Sequence, residues 1–320
     1  MTVLAHIAPG PLEPLQLLVP SVAAIGYAVR ARTLARARRP VPGWRQGCFF
    51  GGLVLIVAVL ISPLGHVSDE LLSVHMAEHL LLGDIGALLL VLGLTGPLLV
   101  PVLRVRALDR LRALAHPAVA FPLWALDLAV WHLPVLYQGA LHSSAVHALQ
   151  HTCFIAFGAN MWMPLFGPLP KPVWFTNTWK LAYVIAVRLT GGLMANVFVW
   201  SGSAFYADYA RGERYWGVSP ASDQVAAGAI MMVEGSILTL ILFGWLFLRT
   251  ASEGDERQEL LDLATEQGLE LSAARAARAV AAGRGAELRR RLEQASLSAA
   301  APPAAAQAPA RSSPRPRGEP

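Results

Sequence analysis

The chain has 320 residues, 55% of them hydrophobic and only 15% charged, with a mean hydropathy of +0.47. A soluble domain carries about 25% charged residues, so the composition argues against one. The net charge of +5 and pI near 9.6 do not signal nucleic-acid binding. The basic residues lie mostly between apolar blocks, where they set membrane topology.

Seven apolar blocks follow one another, at about 14–31, 44–64, 71–100, 117–136, 144–166, 178–201 and 222–248. Each is close to the roughly 20 residues that cross a bilayer as a helix, and no alternation of the β-barrel kind is visible. The expectation is an all-α polytopic membrane bundle of seven transmembrane helices over residues 1–250. The first Lys or Arg is Arg30, after the first block. A first span with its N-terminus outside is therefore expected, rather than a cleaved signal peptide. The third block contains Gly93, Gly96, Pro97 and Pro101, so its inner end should bend or re-enter.

Arginine and lysine set the orientation. Arg30, Arg32, Arg36, Arg38, Arg39 and Arg45 separate the first two blocks, Arg104, Arg106, Arg110 and Arg112 the next pair, and Lys171 and Lys180 the fifth and sixth. The alternate connections 65–70 and 134–143 have neither residue. This bias predicts a membrane protein with its N-terminus outside and its C-terminus in the cytoplasm. Beyond the last block, residues 251–298 read as a charged cytoplasmic helical segment interrupted at Gly268, Gly283 and Gly285. Residues 299–320 read as a disordered Ala/Pro/Arg-rich tail.

Two histidine pairs carry the chemistry: His75 with His79 and His147 with His151. Spacing of i,i+4 puts both rings of a pair on one helix face. The orientation places both pairs, with His132 and His142, in the outer half of the membrane or at its face. Intramembrane ionisable residues are costly and usually functional, and imidazole suits copper, zinc, iron and nickel. The residues alone leave three readings open: a metal site, haem between the pairs of spans three and five, or histidines that hydrogen-bond neighbouring helices. Glu78 offers an orienting carboxylate but is on a different face from His79. Asp223 and Gln224 open the last span, either as caps or as polar contacts near the site, and Met231 is a minor thioether candidate. Arg188, near mid-membrane, needs a carboxylate; Asp127 or Glu234 is expected to supply it as a buried ion pair. An ion or proton path through Asp127, Arg188 and Glu234 is the third functional class, though no internal repeat supports a transporter. Cys48 and Cys153 read as small buried residues. The aromatics near the span ends, Tyr137, Tyr206 and Tyr209 among them, read as the interfacial belt. No soluble-enzyme motif is present.

The stretch HMAEHLLLGDIGALLLVLGLTGPLL (75–99) resembles the first signature of the polytopic CtaG family of cytochrome c oxidase assembly factors. WHLPVLYQGALHSSAVHALQHTCFIAFGANMWMPLFG (131–167) resembles the second, and DQVAAGAIMMVEGS (223–236) the third. The resemblance covers roughly residues 14–250. It implies a non-enzymatic role in assembling a haem-copper terminal oxidase at the copper step, with oxidase subunits and the bilayer as partners. It assigns His75 and His79 to the first motif, His132, His147 and His151 to the second, and Asp223, Gln224 and Gly228 to the third. Glu78 and Asp84 add acidic groups that the resemblance does not lead one to expect. Copper becomes the expected ligand, with haem as the alternative, and the tail inherits nothing.

Overall fold

Helix follows helix in the computed structural model, which describes residues 13–62, 67–105 and 111–300 and has no strand among them. Helix α1 is Glu13–Arg36 and α2 is Gly43–Leu60. Helix α3 spans Leu72–Gly93, with a π-helical segment at Leu81–Gly86, and α4 is Gly96–Leu103. The helix breaks at Leu94 and Thr95, in the stretch of glycines and prolines where a bend is expected. Helix α5, Pro117–Trp131, and α6, Pro134–His142, are bent by 69°. Residues before proline disfavour the helical region, so the chain turns at His132 and Leu133. Then come α7 Ser144–Phe166, α8 Asn177–Trp200, the short α9 Ala210–Trp216 and the long α10 Pro220–Glu266.

Five helices contain stretches long and apolar enough to cross a bilayer: Leu17–Arg36, Gly43–Leu60, Leu72–Gly93, Asn177–Trp200 and Pro220–Glu266. Counting the bent pair α5–α6 as one span makes six. The fifth expected block, α7, has 23 residues but falls outside this set. It carries His147, Gln150, His151 and Asn160 along its length, which dilutes its apolar character.

Small residues let the helices meet closely. A Cβ built on Gly158 of α7 would lie 1.8 Å from the Gly83 carbonyl oxygen of α3, and one on Gly93 would lie 2.5 Å from Phe49 Cβ of α2. Close approach at small residues is how membrane helices gain packing energy where no hydrophobic drive separates protein from lipid. The π segment frees backbone groups that need partners; Trp162 Nε1 donates to the Asp84 carbonyl at 3.1 Å. At the end of α3, Arg45 donates to the carbonyls of Leu92 (3.0 Å) and Leu94 (2.7 Å), and the Tyr27 hydroxyl donates to that of Gly93 at 3.0 Å. At its start, Asp223 accepts from the backbone N–H groups of Leu72 (2.7 Å) and Ser73 (3.2 Å). The N-terminus of α3 is thus capped by a residue 151 positions away.

The chain divides into two compact units between Gly244 and Trp245. The second unit buries Leu260, Ala264, Val280, Leu288 and Leu292 together. Its α11 (Ala273–Ala281) is capped by Ser272, which accepts from Arg275 N at 3.3 Å, and its α12 is Gly285–Ala300. Gly268 and Gly283 interrupt the helices with positive φ of 65° and 67°, a conformation glycine adopts without cost. Gly285, expected as a third interruption, begins α12 instead. Residues 299 and 300 are helical; the rest of the expected disordered tail lies outside the described residues.

Gly158→Ala is expected to cost about 1–3 kcal/mol, since the added carbon meets backbone and not a movable side chain. Gly83→Ala meets its nearest neighbour, Phe154 Cβ, at 3.1 Å and should cost clearly less. Thermal melts in detergent check the order. Asp223→Ala should lower stability by about 0.5–2 kcal/mol through loss of the α3 cap, and Asp223→Asn by less, since one acceptor remains. Glu213, in α9, is 3% exposed with Oε2 unpartnered. Burial pushes its carboxyl above the usual range, the Asp223 charge adds to this, and Arg214 opposes it. A raised carboxyl pKa gives stability that is full below the ordinary carboxylate range and is lost as pH rises through the raised value. Glu213→Gln should therefore raise the melting temperature at neutral pH and leave it nearly unchanged in acid.

Candidate metal centre

One turn into α3 stands His75, and one turn further His79; α7 carries His147 and His151 at matching depths. The rings form a two-runged ladder. His75 and His147 lie 5.2 Å apart between centroids, and His79 and His151 5.5 Å. Along each helix the spacing is 4.2 Å. The four rings therefore face one another across the α3–α7 interface, a point the sequence leaves open. The Gly83–Gly158 contact lies deeper in the bundle, about one turn below His79 and two below His151, and brings the two helices together.

The ladder is dry and short of partners. His75, His79 and His151 are 0%, 6% and 5% exposed, and His147 is half-buried. His75 Nδ1 lies 3.2 Å from the Ser68 carbonyl. A carbonyl cannot donate, so Nδ1 carries the proton and Nε2 keeps its lone pair. That Nε2, both ring nitrogens of His79 and of His151, and His147 Nε2 have no hydrogen-bond partner. Buried polar atoms are partnered in the great majority of cases; each neutral ring keeps one lone-pair nitrogen, so the four rings offer up to four donors to a cation. Ligand atoms of His75, His79 and His147 lie within 4.8 Å of one another, as do those of Glu78, His147 and His151. Glu78 Oε1 is 3.7 Å from His151 Nε2. Although its position on α3 differs in face from that of His79, the Glu78 carboxylate joins the cluster by reaching toward His151 of α7. Nitrogen donors with one carboxylate suit borderline metal ions such as copper and zinc.

His132 stands apart. It ends α5 at the bend, its Nδ1 is 2.7 Å from the Leu128 carbonyl, and its Nε2 is unpartnered. It belongs to neither three-ligand group. It shares with His79, Met76 and Met231 the lining of a cavity of about 60 Å³. Met231 is buried, whereas Met232 is 41% exposed. His142 is exposed and pairs with Asp208 at 3.7 Å. His116 caps α5 by accepting from Ala118 N at 3.2 Å, and His6 and His66 lie outside the described residues.

Several expectations need correction. Arg188 does pair with Glu234, one of its two expected partners, at 3.7 Å, but it pairs more tightly with Asp84, by Nη1–Oδ2 at 2.8 Å and Nη2–Oδ1 at 3.3 Å. Asp127 takes no part in this pair. It lies on α5 against Trp131 and Cys153, while Asp84 lies in the π segment, whose wider turn departs from the helical register. Asp223 and Gln224 are not beside the rings as free polar groups. Asp223 spends its oxygens on α3, and Gln224 binds Phe205 N, Phe198 O, Ser201 Oγ and Ser203 O at 2.7–3.2 Å. Tyr137, Tyr206 and Tyr209 are not a lipid-facing belt. They are 1%, 3% and 0% exposed, Tyr137 stacks on Tyr206 at 4.1 Å, and His75 lies 5.1 Å from Tyr137. They cover the His75 rung. Gln150, fully buried beside His75, was missed, although its i,i+3 relation to His147 puts it on the histidine face.

The sequence profile described as cytochrome c oxidase caa3 assembly factor (Caa3_CtaG) matches residues 25–253. That stretch holds α2 to α9, the second half of α1 and the apolar part of α10, and with them the whole ladder. No curated protein and no solved structure is matched by the chain. The chain belongs to the cytochrome c oxidase caa3 assembly factor family.

Proposed function

We propose that this assembly factor acts by holding copper in the α3–α7 histidine ladder and passing it to an oxidase subunit, as a binding and transfer protein and not an enzyme. One observation carries the reading: four facing imidazoles, three buried and one half-buried, each with at least one unpartnered ring nitrogen. Neutral imidazoles bind copper without adding charge to a low-dielectric interior, and the Ser68 carbonyl holds the His75 ring with Nε2 presented. His147, the least buried of the four, is the natural point of entry and exit. Haem between these pairs needs an open slot for the macrocycle, and the Gly83–Gly158 approach leaves little room for one. The Arg188–Asp84–Glu234 group, packed on Trp162 with the Arg188 guanidinium 5.2 Å from the ring centroid, suits a structural role better than an ion path.

The membrane arrangement completes the reading. With the bent pair counted as one span and α7 taken as another, the bundle has seven. The arginine-rich connections then lie in the cytoplasm and the ladder opens toward the outer face, where a partner domain on that side can reach it.

Purified protein loaded with copper tests this. His79→Ala combined with His151→Ala should reduce bound copper at least about tenfold, measured by elemental analysis after desalting. Unchanged copper content would mean the histidines are packing groups. A Soret band in the protein as isolated would favour haem.

A further inference from the structure

We propose that the ladder gives one ion two overlapping three-ligand positions pivoting on His147, and that ligand charge sorts ions between them. Monovalent copper takes the all-imidazole position of His75, His79 and His147, and a divalent ion takes the position of Glu78, His147 and His151. This rests on the copper-holding reading above and divides that site.

The geometry supplies both positions: each set of three ligand atoms lies within 4.8 Å, and His147 alone is common to both. His147 is half-buried while the others are almost fully covered, so an ion entering at His147 can turn to either side. The chemistry then separates the two. Three neutral nitrogens around a monovalent ion leave a single positive charge. Two neutral nitrogens and a carboxylate around a divalent ion also leave a single positive charge. Either occupied state therefore costs a similar amount of buried charge, whereas a divalent ion among three imidazoles would leave twice as much. Ligand hardness points the same way, since carboxylate oxygen favours harder divalent ions and Cu(I) favours softer ligands. Glu78 faces His151 at 3.7 Å and keeps Oε2 unpartnered, the state of a carboxylate with an oxygen to give. Because His147 is shared, the positions exclude each other.

The test uses the full chain in detergent, with Cu(I) titrated against a colorimetric chelator and Co(II) followed by its visible absorption. Glu78→Gln should shift the ratio of Co(II) to Cu(I) affinity at least about tenfold toward Cu(I). His75→Ala should shift it toward Co(II), and His147→Ala should weaken both. Protein saturated with Cu(I) should take up no Co(II). The ratio is insensitive to a fraction of misfolded protein, and circular dichroism confirms helicity. An unshifted ratio in Glu78→Gln, or simultaneous binding of both ions, would overturn the two-position proposal. If the ratio is unshifted while His79→Ala with His151→Ala still abolishes copper binding, only the division of the site falls. If no histidine variant alters Cu(I) binding, the copper reading falls with it.

Discussion

The approach of α3 to α7 at Gly83 and Gly158 is the constraint on which the histidine end depends. A methyl group on Gly158 has no space, because backbone oxygen occupies it. With the helices this close, residues one and two turns above the contact on α3 and two and three turns above it on α7 come within ring-to-ring distance, and the ladder is the outcome. The same closeness explains the π segment. A helix that must present His75 and His79 to α7 and Asp84 to Arg188 of α8 needs a change of register between them, and Leu81–Gly86 provides it. Trp162 ties the parts together by bonding the Asp84 carbonyl and lying against the Arg188 guanidinium.

Polar side chains elsewhere in the bundle serve the backbone. Asp223 caps the start of α3, Arg45 the end, and Gln224 fastens the chain after α8. Lipid offers no hydrogen bonds, so helix ends and breaks must be satisfied from within the protein. These residues hold α3 fixed at both ends, and α3 carries half of the ladder. The unpartnered histidine nitrogens stand out by their clustering: six of them lie on four rings in ring-to-ring contact, whereas the other unpartnered polar atoms are spread along the chain.

Much of this was legible in the sequence. Apolar block length located the helices, and i,i+4 spacing placed each histidine pair on one face. What the chain could not disclose was pairing between helices. Whether α3 meets α7 depends on two glycines 75 positions apart, whose spacing carries no periodic signal. Asp84 lies in the π segment, a local change of register with no signature in the apolar pattern, and there it meets Arg188. Asp127 has the right depth for that arginine but lies against Cys153. Glu78 lies on a different face of α3 from His79, as its sequence position requires, and its longer side chain still comes within 3.7 Å of His151. The tyrosines near the span ends looked interfacial by position, and only the fold of the segment after α8 buries them over His75.

Copper K-edge X-ray absorption on the loaded protein tests the central claim most directly, since it reads the ligands without any substitution. Nitrogen scatterers at about 2 Å with the outer-shell pattern of imidazole rings are the expected result. A first shell of sulfur alone, or one without imidazole scattering, would contradict the account.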